Sequence, residues 1–143
     1  MKTNEKILVG WREWVNLPDL GLVHIKSKID TGARTSALSA IDIEPYHEHG
    51  QSYVKFHVLI RGVRLEGSPF QAPIADKRWI KSSIGHRQAR YVIWTQLQLG
   101  DLLWPIEMTL ASREKMLFPL LLGRTALSSH VIIDPSQSYL LGG

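Results

Sequence analysis

The chain of 143 residues contains no cysteine. That excludes a disulfide framework, a cysteine-type zinc site and a thiol nucleophile. It also lacks any apolar stretch long enough to cross a membrane, and its start (Met1-Lys2-Thr3-Asn4-Glu5-Lys6) lacks the apolar centre of a signal peptide. No membrane partner and a cytoplasmic location are therefore expected. No internal repeat or low-complexity tract is present. The net charge of +4 comes from lysines and arginines scattered along the chain rather than clustered, so no nucleic-acid partner is expected. The length suits one domain with its own core, spanning 1–143.

What is present reads as many short strands separated by turn signals, and hence as an all-β barrel or sandwich. Ile7–Leu17 reads as one strand, followed by a turn at Pro18-Asp19-Leu20-Gly21. Leu22–Ile29 alternates, with Val23, Ile25, Ser27 and Ile29 on one side and His24, Lys26 and Lys28 on the other. Ala37–Glu44 reads as extended, Pro45–Gln51 as a loop and Tyr53–Arg61 as a strand. Gly67, Pro69 and Pro73 argue against a central strand or helix in Gly62–Lys77. Arg78–Ile84 and Arg87–Leu99 predict a long hairpin around Gly85. Gly100-Asp101 predicts a tight turn into Leu102–Leu110. Leu117–Leu122 reads as a buried strand, Arg124–Ser129 as a short helix, and Val131–Ile133 and Tyr139–Leu141 as closing strands.

Two motifs carry chemistry. Asp30-Thr31-Gly32-Ala33 follows one strand, and Leu121-Leu122-Gly123-Arg124 ends another. An Asp-Thr-Gly loop at a strand end is the chemical signature of aspartic proteases. Two carboxylates about 3 Å apart share one proton, because like charges that close cannot both ionise. The pair then activates a water. The chain holds one copy of the set, so Asp30 needs Asp30 of a second chain, and a homodimer is expected. Thr31 supplies a hydroxyl, and Gly32 permits close backbone approach. The same tetrapeptide also reads as a plain turn in which Asp caps its own backbone. Between the motifs, Lys81–Arg87 has the small, polar tip of a flap, with Ile84 and Gly85 at its centre.

In this order the motifs resemble the retropepsins, the dimeric aspartic proteases of retroviral type. They resemble still more a related bacterial family often labelled ATP-dependent zinc proteases. Gly10-Trp11-Arg12-Glu13-Trp14, Lys28–Ser36 and Leu120–Arg124 carry the match, which covers nearly the whole chain. The resemblance implies a closed acid-protease barrel with one short C-terminal helix. It also implies a role beside the ATP-grasp ligases that add glutamates to ribosomal protein S6. The segment of about 46–77 is longer than in the viral enzymes and reads as an inserted hairpin and loop. The family label itself finds no support in the residues. There is no phosphate-binding glycine loop, and His47-Glu48-His49 is a weak metal motif, so no cofactor and no metal are expected.

The expected site is catalytic Asp30, Thr31 and Gly32, with Ala33, Arg34, Ile84, Gly85 and Arg124 contacting a peptide or protein substrate. Arg34 stands where the viral enzymes carry an acid, and Glu13 where they carry an Arg. The expectation is that Glu13 pairs with Arg34 across the dimer, and that Arg34 and Arg124 favour an acidic or glutamylated tail. A second reading pairs Arg124 with Glu107 instead. Asp134-Pro135 reads as a turn, and the five tryptophans as core or interface aromatics. Two other functions stay open: a non-catalytic binding module that regulates a glutamate ligase, and a metal-dependent hydrolase built on His47-Glu48-His49.

Overall fold

The computed structural model describes residues 6–81, 85, 87–111 and 118–142. The chain is mostly β. Its strands are β1 (Ile7–Val9), β2 (Arg12–Leu17), β3 (Leu22–Ile29), β4 (Ser36–Glu48), β5 (Gln51–Ile60) and β6 (Val63–Arg64), followed by β7 (Phe70–Pro73), β8 (Asp76–Lys81), β9 (Arg87–Leu99), β10 (Leu102–Ala111), β11 (Leu120–Leu122) and β12 (Val131–Ile133). Among the described residues one 3-10 turn covers Pro18–Leu20, and one helix, α1, covers Arg124–Leu127.

The main sheet runs β10-β9-β2-β3-β11-β4-β5-β6, and β10 also pairs with β4, so the strand path returns on itself. Two of its contacts are parallel and unite distant parts of the chain: β10 with β4, and β11 with β3. β1 and β12 form a separate parallel pair. One apolar cluster fills the interior, with Leu17, Leu38, Phe56, Ile93, Leu97, Met108, Leu120 and Leu122 among its most buried members.

Local chemistry explains the strand ends. Gly100 has φ +61°, and Leu99 pairs with Leu102 across it, so the expected Gly-Asp hairpin has glycine at its first turn position. The long hairpin of β8 and β9 forms as expected, in register from Asp76 opposite Val92 to Lys81 opposite Arg87. Pro73 lies in β7, which among the described residues pairs only with β5, a place where a missing amide is tolerated.

Several expectations are corrected. Ile7–Leu17 is two strands, because Gly10 and Trp11 turn the chain between β1 and β2. The alternation in β3 fails at its start: Leu22 is buried and Val23 is 67% exposed. His24 adopts φ +56°, its amide donates to Asn16 Oδ1 at 2.7 Å, and the β2–β3 register slips between Val15 and Leu17. A bulge of this kind moves every residue before it to the other face. The loop expected at Pro45–Gln51 is mostly strand. β4 continues to Glu48, with Pro45 opposite Val54, and only His49 and Gly50 turn. Ser36–Ala40 is buried throughout, since this half of β4 lies between β11 and β10. A bulge at Asp42 (φ +56°) then carries the strand out of the core. Tyr139–Leu141 is a turn, with Tyr139 at φ +54°.

Candidate active site

β3 delivers Asp30. Its last residue, Ile29, pairs with Leu122 of β11, and the Asp30 amide donates to the Leu122 carbonyl at 2.9 Å. The chain then turns: the Ala33 amide donates to the Asp30 carbonyl at 3.2 Å, and the Gly32 amide donates to Asp30 Oδ1 at 3.1 Å. Asp30 therefore does cap its own turn, as the plain reading of the tetrapeptide expects. The carboxylate is not sealed in the interior. Asp30 is half-buried, and Thr31, Gly32 and Arg34 beside it are exposed.

The Gly123-Arg124 segment supports this loop through its backbone. Arg124 and Thr125 begin α1, where the first amides have no partner inside the helix. They donate instead to the loop carbonyls of Ala33 and Arg34, at 2.9 and 3.0 Å. The Arg124 side chain closes the contact from the other side, Nη1 donating to the Thr31 carbonyl at 2.8 Å. Such close approach needs glycine at 123: a Cβ there would sit 2.7 Å from the Thr35 carbonyl carbon and 2.9 Å from that of Arg34. The Gly123 amide donates to the buried Ser36 hydroxyl at 3.0 Å, and Thr109 Oγ1 donates to the Ser36 carbonyl, also at 3.0 Å. Ser36 and Thr109 are the supporting residues that sequence reasoning missed. Ser36 was within reach, as the first residue of the strand that leaves the loop.

A concavity of about 310 Å³ opens beside the loop. Thr31, Arg124 and Lys6 give it polar walls, and Leu127, Val131 and Ile133 give it an apolar one. Of the expected site, the structure brings together Asp30, Thr31, Gly32, Ala33, Arg34 and Arg124. Ile84 lies outside the described residues. Gly85, also expected at the flap tip, is exposed with φ +89°.

The expected pairing of Glu13 with a second chain is overturned. Glu13 is fully buried, on the core face of β2 with Val15 and Leu17. Its carboxylate accepts amides from Gly10 (2.7 Å), Leu140 (2.9 Å) and Leu141 (3.2 Å) of its own chain. Alternation along β2 was the signal that could have placed it inside. Glu107 is not the partner of Arg124 either, because Arg78 holds it with two bonds, of 2.8 and 3.3 Å. Asp134 is a turn residue, as expected: its Oδ1 accepts the Ser136 hydroxyl (2.6 Å) and amide (3.0 Å), which hold its pKa below the ordinary 3.8. His47 bonds Ser52 at 3.0 Å near a hairpin tip, and among the described residues no three His, Asp or Glu side chains are grouped to hold a metal. Trp104 is a core aromatic, whereas Trp79 and Trp94 are more than half exposed. No helix among the described residues is long and apolar enough to cross a membrane.

A mostly β chain with an Asp-Thr-Gly loop backed by a Gly-Arg segment has the retropepsin type of site. The chain belongs to the RimB-like family, described as the retropepsin-like aspartic endopeptidase RimB, whose profile matches residues 8–142. Curated relatives carry another name. A protein of Shewanella pealeana called a probable alpha-L-glutamate ligase is 39% identical over 141 residues, covering 98% of this chain and 31% of its own. One of Desulfotalea psychrophila with the same name is 41% identical over 138 residues, covering 96% and 30%. The chain thus spans about a third of the length of these relatives. A crystal structure of a Legionella pneumophila protein of unknown function superposes with a TM-score of 0.77 and 28% identity, covering 96% of this chain and 99% of that one.

Proposed function

We propose that the chain is an aspartic endopeptidase that works as a homodimer, with Asp30 of each chain activating one water. The observation that carries this is the half-buried Asp30 on a solvent-facing loop, braced from behind by Gly123 and Arg124. Only one Asp-Thr-Gly is present, so the second carboxylate comes from a second copy. The return of the strand path through β10 and β4 supports a closed acid-protease barrel over 1–143, with about 46–77 as an added hairpin. A surface for the second copy is available near the site. Leu8 and Ile132 face one another in the β1–β12 pair and are 51% and 56% exposed.

The substrate is a peptide or protein, with acidic or glutamylated tails favoured. Arg34 and Arg124 flank the loop, and guanidinium groups bind carboxylates with two bonds. The ligase name of the longer relatives supports the same direction, since a peptidase domain joined to such an enzyme would act on glutamate-bearing chains. Cleavage of acidic and neutral peptides over a range of pH tests the reading. Asp30→Asn should lower the rate by roughly 10²–10⁴-fold and leave the fold intact, because the Asn oxygen can still accept the Gly32 amide. Equal rates in both proteins would overturn it.

A second reading has the same fold act as a non-catalytic regulator of a glutamate ligase, which the ligase name of the relatives favours. Acidic peptides that bind and are never cut, at any pH and with the dimer formed, would establish that reading instead.

A further inference from the structure

A second concavity, of about 280 Å³, lies between β3, β5 and the start of β11, and shares no lining residue with the one beside the Asp30 loop. Trp14, Ile25, Ile60 and Pro119 give it apolar walls, and Lys26 and Arg61 bring two cations, with His24 at its edge. Among the described residues no carboxylate lines it, and none lies within ion-pair distance of Lys26 or Arg61. The Lys26 ammonium rests instead over the rings of Trp14 (5.5 Å) and Phe118 (5.9 Å). Trp14 is itself stacked with His24 (4.2 Å, 6° between planes) and with Tyr139 (5.3 Å). The indole is thus committed within the protein, which disfavours a stacking nucleobase as the occupant.

The backbone adds a second indication. Arg61 and Gly62 form the two-residue turn between β5 and β6, with φ +54° and +77° and Ile60 opposite Val63. This turn favours Asn, Asp or Gly at its first position, and an Arg there is strained. His24, on another strand, is also left-handed at φ +56°. The strained Arg61 backbone thus meets a left-handed His24, a residue type that tolerates this conformation, at one cavity, and strain of the Arg61 kind is found where it serves binding.

We propose that this pocket binds carboxylate groups of an acidic peptide segment, as an anchoring site separate from the Asp30 loop. Arg61 and Lys26 hold the carboxylate, and the apolar walls take the methylene stem of a glutamate. The choice of a peptide rests on the acidic-substrate reading above; the carboxylate chemistry does not.

The test uses the full chain carrying Asp30→Asn, so that nothing is cut. Tetraglutamate, free glutamate and tetraglutamine are titrated by calorimetry, while the Trp14 indole signal is followed by NMR. The expected result is that tetraglutamate binds and moves the Trp14 signal, and tetraglutamine does neither. Arg61→Asn and Lys26→Met should each weaken tetraglutamate binding about tenfold, as loss of a bond to a charged group would. Arg61→Asn suits the turn better than Arg does, so its melting temperature should not fall and lost affinity is not lost folding. Free glutamate binding as tightly as the peptide would replace the peptide by a small molecule. Tetraglutamate binding unchanged by both substitutions, no binding at all, or displacement by a single-stranded oligonucleotide that binds more tightly would overturn the proposal. Cleavage by the chain with Asp30 intact separates the two readings. Pocket binding without any cleavage sinks only the peptidase, and cleavage with no effect of Arg61 or Lys26 sinks only the pocket.

Discussion

Glu13 holds Leu140 across 127 residues of chain, its Oε2 accepting the Leu140 amide at 2.9 Å. The same carboxylate takes the amides of Gly10 and Leu141, so one buried side chain ties the start of β2 to the C-terminal turn. Tyr139 completes the tie, its amide donating to the Arg12 carbonyl at 2.9 Å and its ring stacking on Trp14. Glu13→Ala would leave three amides without this acceptor. The expected loss is about 3 kcal/mol or more of folding stability, read from denaturant unfolding. Arg34→Glu should not rescue Glu13→Arg, because the two positions do not form a pair. Recovery of stability in the double variant would revive the inter-chain bridge.

Gly123→Ala places a methyl group against backbone atoms of Arg34 and Thr35 that cannot rotate away. The loop and α1 must separate, and with them the bonds from Arg124 and Thr125 to the Ala33 and Arg34 carbonyls. Overpacking of this sort costs about 1–3 kcal/mol. On the proposed peptidase reading, cleavage should fall with it, because the Asp30 loop loses its brace. A variant that melts and cleaves like the parent would remove Gly123 from the site.

Sequence patterns were most legible where one rule acted alone. The Gly-Asp hairpin, the long β8–β9 hairpin and the helix after Gly123 each followed from local turn chemistry or uninterrupted pattern. Reading failed where a positive φ broke the phase. Nothing in the composition of Leu22–Ile29 announced that His24 would be left-handed, and this bulge exchanged Leu22 and Val23 between faces. Asp42 did the same within β4. The candidate loop was legible because Asp-Thr-Gly and Gly-Arg are short, specific strings. Its support by Ser36 and Thr109 was not, since it depends on parallel pairing between β10 and β4, some 70 residues apart. Glu13 was misread for a different reason. The expectation places its charge at a contact with Arg34 of a second chain, although its alternation with Val15 and Leu17 points inward, where three amides meet it.

Asp134 sets a dependence on acid. The hydroxyl of Ser136 is the larger cause, followed by its amide, and both hold the Asp134 carboxyl below its ordinary 3.8. A group whose folded pKa is depressed stabilises the fold above its unfolded value, and that contribution disappears as pH falls through the folded one. Asp134→Asn should therefore melt below the parent at neutral pH, and the gap should close as the solution is acidified below 3.8. Asp134 is half-buried and its bonds to Ser136 lie at the surface, so the effect is small and needs matched thermal scans of both proteins. A gap that widens in acid would contradict the assigned bonds.

Arg124 combines two roles that substitution can separate. Its amide and its guanidinium both reach the Asp30 loop, and the residue lines the open concavity together with Lys6. Arg124→Ala keeps the backbone bond and removes the contact to the Thr31 carbonyl. The side chain is exposed, so stability should change by no more than about 1 kcal/mol. If Arg124 also reads substrate carboxylates, KM for acidic peptides should rise more than KM for neutral ones. Arg124→Lys should restore the charge without the two-bond geometry and recover only part of that preference. Equal loss on acidic and neutral peptides would leave Arg124 as a brace for the loop and take it out of substrate selection.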